Sequence, residues 1–145
     1  MVGEDSDWDT HRGQQLALDR KFADFDDGLR AIREGPADDW NNTAVVVVTE
    51  FGRIVAANGS AGTDHGVGGV ALLAGGAVHG GRLGGDWPGL SAGALLDGRD
   101  LRPTTDMRAL FKGLLAAHLA VPEMALETRI FPDSRAVKPL DGLLT

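Results

Sequence analysis

The sequence predicts an α/β domain in which helices cover a mostly parallel sheet in layers. A long amphipathic helix precedes a run of β-branched residues, and a second short strand and a second helix follow along the chain. Helices that alternate with short apolar strands are typical of layered α/β folds. With 145 residues the chain is long enough for one hydrophobic core. A single domain over residues 1–145 is therefore expected.

The first helix is predicted from about residue 10 to residue 34. Its apolar side chains recur at alternating spacings of four and three residues and so share one helix face: Leu18, Phe22, Phe25, Leu29 and Ile32. Asp9 or Thr10 is predicted to cap the first turn with a side-chain oxygen. Gly35 and Pro36 are predicted to end the helix, because proline has no amide hydrogen for a helical bond.

Two strands are predicted in the middle of the chain. Residues 44–48 are a β-branched run without polar alternation, which is typical of a strand buried on both faces in a parallel sheet. Residues 70–74 form the second strand, which a pair of glycines ends. Few strands are available to flank the first one, so an open sheet edge and exposed apolar surface are expected. Such an edge favours pairing between copies, and a homo-oligomer is predicted.

A second helix is predicted from about residue 106 to residue 119. Thr104 or Thr105 is the predicted cap, and Pro122 lies just past the end. Five apolar residues are predicted to face inward: Met107, Leu110, Phe111, Leu114 and Leu115. The order helix, strand, loop, strand, helix completes the layered prediction.

Composition excludes several classes of partner and site. The formal net charge of -7 argues against nucleic acid, whose phosphates require clustered lysine and arginine. The chain has no cysteine, which excludes disulfides, zinc–thiolate sites and a thiol nucleophile. No apolar run approaches the roughly 20 residues that cross a bilayer, and residues 1–7 are acidic and unlike a signal peptide. No membrane partner is expected, and the location of this chain stays open.

Asp9 and His11 are the first candidate metal-binding residues, just before the long helix. Two residues apart in an extended segment, they point to the same side and could reach one cation. The alternative is that Asp9 caps the helix while His11 is solvated in its first turn.

Glu50 and Arg53 follow the first predicted strand. In open α/β sheets, ligands bind outside the carboxyl ends of the strands. A carboxylate there could bind a metal, and a guanidinium could bind an anionic substrate. The alternative is an ion pair at a strand end.

Asp64 and His65 lie together in a glycine-rich loop. They offer one hard oxygen and one imidazole, which suits Zn, Mn or Fe. The alternative is an Asx-type turn with an incidental histidine.

The order of these motifs is more specific than any one of them. The chain contains, in sequence, WDTH (8–11), TEFGR (49–53), NGSAGTDHG (58–66), GGAVHGGR (75–82), GDWPGL (85–90) and DGRDL (97–101). This arrangement resembles the bacterial family called domain of unknown function 1501, and the likeness covers nearly the whole chain. That family is similar to a branch of the alkaline phosphatase and sulfatase superfamily.

The resemblance implies the C-terminal part of an alkaline-phosphatase-like α/β/α layered domain with a mostly parallel sheet. It also implies one or two divalent metals, drawn from Zn, Mn, Mg and Ca. The residues that match the metal ligands are Asp9, His11, Glu50, Asp64 and His65. Asp64 and His65 match either the superfamily's Asp-His pair, displaced along the loop, or its later histidine. Arg53 is the expected catalytic residue, because it would neutralise the charge of the substrate.

The implied function is hydrolysis of phosphate or sulfate esters, with an anionic small-molecule ester as substrate. No serine or threonine matches the context of the superfamily nucleophile, which lies far upstream of the first Asp–His pair. The chain is therefore expected to be a catalytically incomplete portion of a metal-dependent hydrolase, as a truncated fragment or a short relative. The alternative is a non-catalytic binding or interaction module derived from that fold. Family members often carry a twin-arginine export signal, which implies that full-length relatives reach the periplasm.

Overall fold

The structure is a computed structural model that describes residues 8–35 and 39–145. Residues 1–7, which carry the prediction about a signal peptide, and Pro36 lie outside the described residues. The described elements are α1 (Gln14–Glu34), a 3-10 turn (Trp40–Asn42), β1 (Val45–Val47), β2 (Gly52–Arg53), β3 (His65–Gly66), β4 (Leu72–Ala74), α2 (Met107–Leu119), α3 (Glu123–Ala125) and a π-helical turn (Leu126–Ile130).

These elements belong to two compact units. Within the described residues, the first unit comprises 8–35, 48–71 and 88–103, and the second comprises 39–47, 72–87 and 104–145. The first unit contains α1, β2 and β3, and the second contains the remaining elements. A single domain over residues 1–145 stays a prediction.

The start of α1 differs from the prediction, because neither Asp9 nor Thr10 caps the helix. The N-cap is Gly13 with φ 53°, a left-handed conformation that glycine adopts without a Cβ clash. The N–H groups of Gly13 and Gln14 donate to two carbonyl oxygens of the loop over residues 58–63, at 3.1 and 2.9 Å. Main-chain acceptors from a distant loop therefore replace the expected side-chain cap.

The apolar face of α1 is only partly covered. None of its residues is fully buried, and Phe22 and Ile32 are 55% and 51% exposed. The Trp8 ring packs edge-on against Phe22 and Phe25, with ring centroids 5.4 and 6.4 Å apart. This packing holds the segment before the helix against α1. No helix in the described ranges has the length and apolar character needed to cross a membrane.

Strand β1 pairs with β4 in an antiparallel sheet within the second unit. Val45 lies opposite Ala74, and Val46 lies opposite Leu73. The valines of β1 are half-buried rather than buried on both faces. This pair and the β2–β3 pair are the sheets formed by the described residues, and both are antiparallel. The mostly parallel layered sheet stays a prediction.

Strands β2 and β3 form the antiparallel pair that matters for the site. Arg53 lies opposite His65, and Gly52 lies opposite Gly66. A Cβ atom added at Gly66 would lie 2.5 Å from the carbonyl carbon of Arg53, and one at Gly52 would lie 1.8 Å from the carbonyl oxygen of Gly68. Only glycine fits at these two positions, and the close approach brings two distant motifs together.

Helix α2 carries much of the small core of the second unit. Leu110 and Leu114 are buried, as predicted, whereas Met107 is 46% exposed, so its predicted inward position is wrong. Lys112 is also buried. Its ammonium donates to the carbonyl oxygens of Ser134 and Val137, at 2.7 and 2.9 Å. Two main-chain acceptors thus satisfy a charge inside the unit.

The cap of α2 is Asp106 rather than Thr104 or Thr105. Its Oδ1 accepts a hydrogen bond from the N–H of Arg108 at 2.8 Å, and its Oδ2 accepts one from the guanidinium of Arg108 at 2.6 Å. The carboxylate accepts a hydrogen bond from an otherwise unpaired amide of the first turn, and its negative charge interacts favourably with the positive end of the helix dipole.

Asp106→Ala is expected to lower the free energy of unfolding by about 1 kcal/mol, because the first turn loses its acceptor. Asp106→Asn keeps an acceptor oxygen and is the matched control. The Arg108 side chain holds the pKa of Asp106 below its ordinary value. Because the pKa of this carboxyl group is lower in the folded than in the unfolded protein, its ionised form stabilises the fold at pH values above the unfolded pKa. This contribution disappears as the pH falls through the folded pKa.

Urea denaturation therefore tests the cap at two pH values. The advantage of wild type over Asp106→Asn should shrink as the pH falls below about 4. Equal stability of wild type and Asp106→Ala at neutral pH would contradict the assignment of this cap.

Candidate metal centre

Three of the predicted ligands meet within the first unit. Asp9 and His11 lie in the segment before α1, and His65 begins β3. Asp9 Oδ1 lies 3.1 Å from His11 Nε2 and 2.9 Å from His65 Nε2. The two Nε2 atoms are 3.2 Å apart. The three atoms form a nearly equilateral triangle.

The edges of this triangle fit three ligands of one ion. Zinc binds imidazole nitrogen and carboxylate oxygen at about 2.0–2.2 Å, which places neighbouring ligand atoms about 3 Å from one another. Two imidazoles and a carboxylate are also a donor set that Zn, Mn and Fe accept. The three side chains are 43–49% exposed. Further coordination positions would thus face solvent, as in catalytic rather than closed structural zinc sites.

Arg53 links this cluster to β2. Its Nη2 donates to Asp9 Oδ1 at 2.7 Å and to the carbonyl oxygen of Trp8 at 2.9 Å, and its Nη1 donates to the carbonyl oxygen of Thr63 at 2.9 Å. The guanidinium carbon lies 5.2 Å from the centroid of the Phe51 ring. The predicted catalytic arginine therefore reaches the cluster and positions Asp9. Its role towards a substrate anion stays a prediction.

Asp64 lies behind His11 rather than in the triangle. Its Oδ1 is 3.0 Å from His11 Nδ1, the ring nitrogen on the far side from the other ligand atoms. Asn58 Nδ2 donates to the same oxygen at 3.0 Å. The structure therefore places Asp64 against a candidate ligand, in the position that carboxylates often take behind metal-bound histidines.

Glu50 is the predicted metal residue that the structure does not bring to the cluster. It lies exposed in the bend between β1 and β2. The cluster of possible ligand atoms within the described residues contains Asp9, His11 and His65 but not Glu50. Its predicted role as a ligand gains no support from this geometry.

Phe51 and Asn58 are site residues that the sequence reasoning missed. The Phe51 ring stacks on the His65 ring, with centroids 3.9 Å apart and planes 23° apart. Asn58 joins Asp64 to the loop that carries it. The Asn-Gly pair at residues 58–59 is a turn signal that marks Asn58, whereas the position of Phe51 between two candidate residues is the only sequence signal for it.

The two carboxylates of the site are held in their ionised form. The hydrogen bond from His65, with a further one from Arg53, holds the pKa of Asp9 below its ordinary value, although partial burial opposes this shift. Hydrogen bonds from Asn58 and then His11 lower the pKa of Asp64. Both groups are therefore anionic at neutral pH, as ligands and partners of a cation must be.

Comparison with known proteins identifies the family. No curated protein and no solved structure matches the chain. One family model matches residues 2–127, a span that includes the whole cluster and both long helices. The motif order had predicted this family, and the match confirms it. The chain belongs to the family described as Protein of unknown function (DUF1501).

Proposed function

We propose that this chain is the metal-binding portion of a hydrolase of phosphate or sulfate esters. The observation that carries the proposal is the triangle of Asp9 Oδ1, His11 Nε2 and His65 Nε2, with edges of 2.9–3.2 Å. Because two of the three donors are imidazoles, Zn and Mn suit the site better than Mg or Ca, which prefer oxygen ligands. The half-exposed ligands leave room for an ester oxygen.

The proposed hydrolysis depends on two positive charges that would face an anionic ester. A bound divalent ion supplies a Lewis acid that polarises a phosphoryl or sulfuryl oxygen. Arg53, in contact with Asp9 Oδ1, adds a second positive charge that favours an anionic ester. Motif order and family membership support placing this site in the C-terminal part of an alkaline-phosphatase-like layered domain, which belongs to the same proposal.

A nucleophile is the component for which the cluster offers no candidate. None of the Ser or Thr hydroxyls within the described residues hydrogen-bonds to Asp9, His11 or His65, and Thr63 Oγ1 donates instead to Gln14 Oε1. Alignment of a nucleophile contributes about 7–11 kcal/mol to catalysis. We therefore propose that this chain by itself binds the ion and the anion but turns esters over negligibly. A non-catalytic binding module is the alternative that the same observation favours.

Phosphate and sulfate are expected to bind only when the ion is present. Isothermal titration of each anion into metal-free and zinc-loaded protein measures this directly, with His65→Ala as the variant that lacks a ligand. Anion binding of equal strength with and without zinc would contradict the hydrolase proposal and leave the binding module.

Turnover is measured on the same samples with p-nitrophenyl phosphate and p-nitrophenyl sulfate. Low turnover that His65→Ala leaves unchanged is the expected result. Robust turnover that disappears in His65→Ala would mean that this chain carries its own nucleophile.

We also propose that copies of the chain associate. Within the second unit, Leu72 in the β1–β4 pair is 49% exposed, and Leu119 at the end of α2 is 63% exposed. Exposed apolar side chains beside a two-stranded sheet favour association. Light scattering at micromolar concentration should give a mass above that of one chain, and a monodisperse monomer would contradict the proposal.

A further inference from the structure

We infer that Asn58 and Asp64 are positioning residues that keep the proton of His11 on Nδ1 and so leave Nε2 free for the ion. This inference rests on the proposed metal centre. It adds to that centre two residues whose side chains act through His11 rather than by binding the ion.

The hydrogen bond between His11 and Asp64 determines which ring nitrogen carries the proton. His11 Nδ1 and Asp64 Oδ1 are 3.0 Å apart. An ionised carboxylate only accepts hydrogen bonds, so Nδ1 donates to Asp64. His11 Nε2 also lies 3.1 Å from Asp9 Oδ1, but the histidine that hydrogen-bonds to that oxygen is His65, through Nε2 at 2.9 Å. A neutral imidazole with its proton on Nδ1 has its lone pair on Nε2, which is the atom of His11 in the triangle. A carboxylate in this position also makes the histidine a more basic ligand.

Asn58 holds Asp64 in place. Its Nδ2 donates to Asp64 Oδ1 and to the carbonyl oxygen of His11, both at 3.0 Å. Its Oδ1 accepts from the N–H groups of Ser60 and Gly62, at 2.9 and 3.1 Å. The orientation of the amide follows, because acceptors face its nitrogen and donors face its oxygen. One side chain thereby ties the loop, the Asp64 carboxylate and the His11 main chain together.

His65 is supported differently, without a carboxylate behind its ring in the described part of the chain. Its Nε2 lies 2.9 Å from Asp9 Oδ1, and its ring stacks on Phe51. No hydrogen bond to its Nδ1 occurs among residues 8–35 and 39–145. A variant that disturbs only the Asn58–Asp64 pair therefore acts directly on the proton of His11 and reaches His65 only through the contact between the two Nε2 atoms, which are 3.2 Å apart.

Long-range ¹H–¹⁵N NMR of the metal-free protein, at a pH where the imidazoles are neutral, reports the proton positions. Wild-type His11 should carry its proton on Nδ1. Asp64→Ala should move it to Nε2, the form that predominates in free histidine, whereas Asp64→Asn keeps an acceptor oxygen and should retain the wild-type form. A proton on Nε2 of wild-type His11, or no change in Asp64→Ala, would overturn the inference.

Zinc affinity, measured by competition with a chelator, gives the second readout. Asp64→Ala and Asn58→Asp are expected to weaken zinc binding by about 10- to 100-fold. Asn58→Asp keeps the oxygen that accepts from the loop amides, and it replaces the donor to Asp64 with a second carboxylate. Asp24→Asn, which removes one exposed charge from α1, is the control for net charge and should bind zinc like wild type.

The zinc affinities of the two Asp64 variants distinguish a positioning residue from a direct ligand. Asp64→Asn should lose less affinity than Asp64→Ala, and an equal large loss in both would make Asp64 a direct ligand and overturn the inference. A wild-type protein that binds no divalent ion would contradict the proposed function. The NMR measurement needs no metal, so it decides the inference in that case as well.

Discussion

His65→Ala is expected to weaken zinc binding by more than about 100-fold, beyond the range of residues that only support a ligand. The substitution removes one corner of the triangle and leaves Asp9 Oδ1 and His11 Nε2 as a pair 3.1 Å apart. Catalytic zinc sites have three protein ligands, and this variant would retain only two. Chelator competition measures the affinity, and circular dichroism verifies that the fold is retained.

His79→Ala is the matched control for this variant. His79 is exposed in the second unit, and the hydrogen bonds found for it there involve its main chain, at its N–H and its carbonyl oxygen. Its removal should leave zinc affinity unchanged. Equal losses in His65→Ala and His79→Ala, or no loss in either, would show that the cluster is not the binding site.

Gly62→Ala is expected to destabilise the first unit by about 3 kcal/mol or more, at the upper end of the cost of overpacking. A Cβ atom at this position would lie 2.2 Å from the carbonyl carbon of His11 and 2.5 Å from the carbonyl oxygen of Thr10. Both neighbours are main-chain atoms, so the clash cannot be relieved by rotating a side chain. The loop must move away from the segment before α1, and zinc affinity should fall together with stability.

Gly59→Ala in the same loop provides the comparison. Nothing lies within 4 Å of a Cβ atom at Gly59. This variant should change the free energy of unfolding by less than about 0.5 kcal/mol. Urea denaturation of both variants measures the difference, and similar stabilities would mean that the loop does not approach His11 as closely as described.

Local signals predicted the helices and strands well where neighbours in sequence decide the structure. The end of α1 at Glu34 and the end of α2 at Leu119 agree with the prediction. The start of α1 does not, because its acceptors come from residues 58–63 and no local pattern reveals them. The same limit applies to β1, whose partner β4 lies far along the chain and runs antiparallel to it.

Motif chemistry predicted Asp9, His11 and His65 as metal ligands, and the structure places their donor atoms 2.9–3.2 Å from one another. It could not separate the role of Asp64 from theirs. That distinction depends on which nitrogen of His11 faces the carboxylate, a property of the folded loop. Glu50 has the right chemistry and the right sequence position, yet the bend after β1 leaves it exposed and apart from the cluster.

The buried ammonium of Lys112 makes α2 an intrinsic reporter of local opening. Amine-reactive reagents can modify Lys112 only when the segment that carries the Ser134 and Val137 carbonyl oxygens separates from the helix. Lys138, whose side chain is 71% exposed, is the accessible reference amine in the same sample. The ratio of the two labelling rates therefore reports how often the C-terminal segment detaches from Lys112 while the rest of the chain stays folded.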